Sequence, residues 1–101
     1  MVIISQKTVH DFATKYPLSA DAINRWYKVA SHANWRNFLD VKESFNTADY
    51  IGNDRYVFDI GGNKFRLVAM IHFKIRTLYI RFIGTHNQYT ELNKKKLLAN
   101  I

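Results

Sequence analysis

A chain of 101 residues and 11.9 kDa has material for one hydrophobic core, so a single domain spanning residues 1–101 is expected. An apolar fraction of 48%, with seven Phe, six Tyr and two Trp, excludes a disordered chain, and fifteen Lys and Arg against eight Asp and Glu leave a net charge of +7 that favours a polyanionic partner such as nucleic acid. Cysteine is absent, which excludes disulfides, thiolate metal sites and a cysteine nucleophile and suits the reducing cytoplasm, while the four apolar residues before Ser5 are too few for a signal-peptide core or a membrane span.

Val2, Ile3 and Ile4 form a β-branched run that predicts a short strand. Val9, Phe12, Ala13 and Tyr16 then recur at helical spacing, and Pro17 ends that helix near Tyr16. Ser19 is the expected N-cap of a second helix that carries Asp21 in its first turn and Ile23, Trp26, Tyr27, Ala30 and Ala33 on one stripe. Asn37 followed by Asp40 predicts a third helix start, with Phe38, Val41 and Phe45 turned inward. From Asp49 the pattern changes to β-rich runs broken at Gly52-Asn53-Asp54, Gly61-Gly62-Asn63 and Lys74 to Thr77. Helices first and antiparallel strands second predict an α+β fold, with N-terminal helices packed on a small antiparallel sheet.

A two-residue turn at Gly62-Asn63 pairs Ile60 with Phe65, Asp59 with Arg66 and Phe58 with Leu67. A four-residue loop over 74–77 pairs Phe73 with Leu78, His72 with Tyr79, Met70 with Arg81 and Arg66 with Thr85. These registers put Phe58, Ile60, Phe65, Leu67, Ala69, Ile71, Phe73, Leu78, Ile80 and Phe82 on one side of the sheet. Asp59, Lys64, Arg66, His72, Tyr79, Arg81 and Thr85 fall on the other, with Val57, Val68, Met70 and Ile83 giving that side some shelter. Arg66 and Arg81 are then either exposed strand residues, one of them facing Asp59, or guanidinium forks suited to phosphate, with Tyr79 offering a stacking surface for a base.

Beyond Arg81, Thr85 and Gln88 match a capping box that opens a helix. His86 falls at its first position, beside free backbone N–H groups, and Tyr89 follows about one turn along. Cleavage of RNA by its own 2′-hydroxyl needs a base, an acid and a cation, which His86, Tyr89 and the two arginines could supply; a plain surface cap and a surface histidine are the bland alternative. The four histidines show no close metal-ligand spacing and Gly61-Gly62 lacks the strand-loop-helix setting of a phosphate loop, so neither metal nor cofactor is expected.

The stretch Tyr56-Val57-Phe58-Asp59-Ile60-Gly61-Gly62-Asn63-Lys64-Phe65-Arg66-Leu67-Val68-Ala69, followed by Ile80-Arg81-Phe82-Ile83-Gly84-Thr85-His86-Asn87-Gln88-Tyr89, closely resembles HigB toxins. The opening strand, Lys15-Tyr16-Pro17 before a Trp-bearing helix, and the region of Phe45 and Asp49 share the likeness, which covers most of the chain. The resemblance implies a RelE-like fold and ribosome-dependent endonucleolytic cleavage of mRNA. It further implies neutralisation by a HigA-like helix-turn-helix antitoxin, with DNA reached only through that complex and no membrane involved. Carried onto this sequence, it places Asn63, Lys64 and Arg66 after the glycine turn, Arg81 on the last strand and His86 and Tyr89 at its end; Arg66, Arg81, His86 and Tyr89 are the expected catalytic residues, and Asn63 and Lys64, joined by His72 and Tyr79 of the polar sheet face, the expected RNA-binding ones. Gln88 and Thr90 stand where related toxins often carry acids, so no carboxylate role is expected there. Two other readings remain: a noncatalytic basic module that blocks translation by binding RNA or the ribosome, and a basic domain that binds only protein.

Overall fold

The computed structural model describes residues 1–101. In chain order it runs β1 (Val2–Ile4), α1 (Gln6–Lys15), a 3-10 turn (Pro17–Ser19), α2 (Ala20–His32), α3 (Phe38–Ser44), β2 (Asp49–Gly52), β3 (Arg55–Ile60), β4 (Phe65–His72), β5 (Thr77–Thr85), α4 (His86–Lys94) and a final 3-10 turn (Leu98–Asn100). Five strands make one sheet in the order β1-β5-β4-β3-β2. The expected α+β class holds, but β1 pairs parallel to β5, so the antiparallel sheet gains a parallel edge. No helix is long and apolar enough to cross a membrane.

Local caps explain most helix starts. The Ser5 hydroxyl accepts from the Thr8 N–H at 3.3 Å to open α1, and the Asn37 side chain accepts from the Asp40 N–H at 3.2 Å to open α3. Ser19 does not cap α2 as expected. It lies inside the turn that Pro17 begins, in helical geometry, and its hydroxyl donates to the Tyr16 carbonyl at 2.6 Å. The Met1 amino group donates to the carbonyls of Ala30, Ser31 and Ala33, a positive charge against the negative end of α2.

Helices α1 to α3 cover one face of the sheet. The core there is built from Val9, Phe12, Ile23, Trp26, Trp35 and Val41 against Tyr56, Phe58, Ile60, Leu67, Ala69, Ile71 and Leu78. On the other face a smaller cluster of Val57, Val68 and Leu98, flanked by Phe82, Tyr89, Leu92 and Ile101, seats α4 and the last residues of the chain. Both faces are thus covered, the second only in part.

The first hairpin has the expected register, Ile60 with Phe65, Asp59 with Arg66 and Phe58 with Leu67. Its left-handed residues are Gly61 and Gly62, at φ of 65° and 68°, rather than Gly62 and Asn63. The second hairpin departs further. His72 pairs with Thr77, Ile71 with Leu78, Met70 with Tyr79 and Ala69 with Ile80; after a bulge, Val68 pairs with Phe82, Leu67 with Ile83 and Arg66 with Gly84. Arg81 is the extra residue of the bulge. It reverses the alternation, so Phe82 joins the second face and Ile83 the main core, the opposite of the expected sides. Gly84, not Thr85, stands across from Arg66.

Candidate active site

Asp59 and Arg66 lie opposite each other on β3 and β4, and the Arg66 Nε meets the Asp59 carboxylate at 3.1 Å. The rest of the guanidinium is also held. Nη1 donates to the Phe65 carbonyl at 3.1 Å, Nη2 donates to the Asn63 side-chain oxygen, and the Tyr89 ring lies 6.0 Å away in cation–π range. Arg66 is only 9% exposed, so its orientation is fixed. The Nε faces Asp59 in an ion pair, and the two hydrogen bonds use one N–H of each terminal nitrogen and leave the other. The result is a positioned, partly desolvated cation that can still receive an anion.

The start of α4 sits beside it. Thr85 and Gln88 form the complete capping box, the Gln88 N–H reaching the Thr85 hydroxyl at 3.2 Å and the Thr85 N–H reaching the Gln88 side-chain oxygen at 2.9 Å. The His86 N–H donates to the Lys64 carbonyl at 3.0 Å, tying the helix start to the glycine hairpin. His86, Lys64 and Asn63 are exposed around the sheltered Arg66. Tyr89, three residues beyond His86 on the same side of α4, is half-buried. Burial, opposed by Arg66 and aided by Asp49 and Asp59, pushes its phenol above the ordinary tyrosine range. The surroundings of Tyr89 thus favour the protonated phenol.

Gly84 makes this packing possible. A Cβ there would stand 2.5 Å from the Phe82 ring and 2.6 Å from the Gln88 side-chain oxygen, so Gly84→Ala must displace either the ring or the cap. The variant should lose about 1–3 kcal/mol in chemical denaturation and show faster amide exchange in the first turn of α4.

Of the eight expected site residues, Asn63, Lys64, Arg66, His86 and Tyr89 come together at the glycine-hairpin end of the sheet. His72 and Tyr79 do not. They form an edge-to-face pair with ring centres 5.8 Å apart, His72 about 20 Å along β4 from Arg66 and Tyr79, opposite Met70, about 13 Å, at ~3.3 Å per residue. Arg81 lies between the two groups, and its Nε donates to the Ile101 main-chain oxygen at 3.2 Å. Arg55, which the sequence did not single out, reaches the same oxygen. His10 and His32 belong to α1 and α2 on the other side of the sheet. No group of three or more His, Asp or Glu side chains is placed to hold a metal ion.

A sheet face carrying a held guanidinium beside a capped helix start with an exposed histidine and a half-buried phenol defines a small basic α+β protein with a cationic site at one end of its sheet. Residues 19–92 match the HigB_toxin family, described as the RelE-like toxic component of a toxin-antitoxin system. Similar proteins are the mRNA interferase HigB of Escherichia coli O6:H1, 30% identical over 96 residues and 93% of each chain, and the mRNA interferase toxin HigB of Escherichia coli strain K12, 33% identical over 92 residues and 88% of each chain. The mRNA interferase HigB of Shigella flexneri is likewise 33% identical over 88% of each chain. The chain belongs to the HigB toxin family.

Proposed function

We propose that this toxin, acting as one domain over residues 1–101 in the cytoplasm, is an endoribonuclease that cleaves mRNA on the translating ribosome. Silencing falls to a HigA-like helix-turn-helix antitoxin, through which alone the toxin is brought to DNA. The relatives named as mRNA interferases support the activity. The observation that carries the chemistry is the Tyr89 ring against the held Arg66 guanidinium, on the helix whose first residue, His86, is tied by its N–H to the Lys64 carbonyl. In this reading His86 takes the proton from the 2′-hydroxyl, which attacks phosphorus. Tyr89, kept protonated by its surroundings, gives a proton to the departing 5′-oxygen, and Arg66 meets the charge that grows on the non-bridging oxygens. The P–O bond to the 5′-oxygen breaks as the bond to the 2′-oxygen forms, leaving a 2′,3′-cyclic phosphate and a 5′-hydroxyl. The chain's own side chains suffice for these transfers, and no metal is assigned a part. Asn63 and Lys64 bind the RNA at the hairpin, and His72 and Tyr79 bind it farther along the sheet.

Transcript-end mapping after induction without antitoxin is the test. New 5′ ends within translated codons are expected; stalled translation with intact transcripts would replace the enzyme by a binding module. His86→Ala should slow cleavage about a hundredfold while leaving the thermal midpoint within a few degrees, because the side chain is exposed and its capping neighbours stay in place.

A further inference from the structure

Three N–H groups from two arginines converge on one oxygen atom at the middle of the basic face. Arg55 Nε and Nη2 lie 3.1 and 2.7 Å from the Ile101 main-chain oxygen, and Arg81 Nε lies 3.2 Å from it. In the structure that oxygen belongs to the terminal carboxylate of Ile101, an anion standing where a phosphate oxygen would; none of the four side-chain ion pairs, Lys7–Asp11, Arg36–Asp40, Arg66–Asp59 and Lys94–Glu91, involves either arginine. Two like charges drawn to a single acceptor form the fork that recognises a phosphate oxygen. Beside it, Tyr79 and His72 present their edge-to-face pair, a surface on which a base can stack.

We propose that Arg55 and Arg81 form a phosphate subsite for the RNA chain, distinct from the reacting centre at Arg66 and His86, and that Leu98–Ile101 covers this subsite until RNA displaces it. The proposal rests on the RNA-cleaving reading above. It adds a residue, Arg55, and moves Arg81 from the reacting phosphate to a neighbouring one. The cover is fastened at few points. Leu98 is buried against Val57 and Val68, Ile101 packs against the same cluster, Asn53 Nδ2 donates to the Ala99 carbonyl at 2.9 Å, and the arginine contacts complete the hold. A groove of about 480 Å³ lined by Ile51, Tyr89, Asn93, Lys96, Leu98 and Ala99 runs between the segment and α4, whose start stays capped by Thr85 and Gln88 without any contact from the segment. The contacts of Arg66 with Asp59, Phe65 and Asn63 do not involve the segment, so the cation stays held whether or not the cover is in place.

The test measures binding of the full-length protein to a short 2′-O-methyl oligoribonucleotide, which cannot be cut, across a range of salt. Leu98→Asp loosens the cover and should raise affinity at low salt about fivefold. Asn53→Gly, which removes only the side-chain bond and suits the left-handed backbone there (φ 49°), should act in the same direction with a smaller effect. Adding Arg55→Ala to either variant should abolish the gain and reduce the slope of log affinity against log salt by about one. An unchanged affinity in Asn53→Gly with a native circular dichroism spectrum, or a gain that survives Arg55→Ala, overturns the subsite. The ribonuclease reading fails separately, through absent cleavage by the parent chain; if the parent cuts and Arg55→Ala binds as tightly as it does, only the subsite is lost.

Discussion

Arg66→Ala should reduce mRNA cleavage by about 10²–10³-fold, equivalent to about 2.7–4 kcal/mol of lost transition-state stabilisation. The size of the effect follows from the preorganisation of the side chain. An ion pair, two hydrogen bonds and the Tyr89 ring hold the guanidinium before any substrate arrives, so little reorganisation should remain when charge builds on the phosphorane. Arg66→Lys keeps the charge but not the fork, cannot satisfy Asp59 and Asn63 together, and should recover only a small part of the rate. A structural origin for the loss can be told apart. The Asp59 side chain retains 30% of its exposure and can rehydrate when its partner is removed, so Arg66→Ala should lose only about 1–3 kcal/mol of stability and remain folded. Asp59→Asn adds a second check: it preserves a hydrogen-bond acceptor for Arg66 while removing the charge, and should cut the rate far less than Arg66→Ala. Parental cleavage rates in a folded Arg66→Ala protein would remove this residue from the chemistry.

The part of the site that could be read from the sequence is the part fixed by local rules. The glycine pair sets the β3–β4 register, which brings Asp59 opposite Arg66, and the Thr85–Gln88 box sets the start of α4, which places His86 and Tyr89. The β4–β5 hairpin was less legible because regular alternation through Leu78, Ile80 and Phe82 conceals the bulge at Arg81. The adjacent apolar residues Phe82 and Ile83 were the available sign, since a regular strand would leave one of them on the polar face. In the fold they occupy opposite faces, both of them packed. The parallel pairing of β1 could not be read at all, because three β-branched residues specify a strand and not its neighbour. Arg55 was passed over for a related reason. It lies at the start of β3, far in sequence from Arg81, and only the fold of Leu98–Ile101 across the sheet brings the two guanidiniums to one oxygen.

Phe58→Ala should cost about 3–5 kcal/mol of folding stability, a large share of the ~5–15 kcal/mol that holds a domain of this size. Phe58 is 1% exposed and lies where the sheet meets the helical layer. Its ring centre is 5.5 Å from Trp26 of α2, 5.3 Å from Phe45 after α3 and 6.3 Å from Trp35 between them, with Trp26 and Phe45 edge-on and Trp35 stacked. Removing the ring leaves a void walled by large aromatic side chains attached to three separate segments, which cannot close together without moving the backbone. The thermal midpoint should fall by more than ~10 °C, at about 4–8 °C per kcal/mol for a domain near 100 residues. Phe58→Leu fills most of the volume and should recover more than half of the loss. Function should follow stability here: below its lowered midpoint Phe58→Ala should cleave at the parental rate per folded molecule, because Phe58 faces the helices while Arg66 and the Tyr89 ring beside it lie on the opposite side of the sheet. A loss under 1 kcal/mol would mean that the helices and the sheet meet elsewhere, and that the β3–β4 register positioning Arg66 is anchored by something other than this aromatic core.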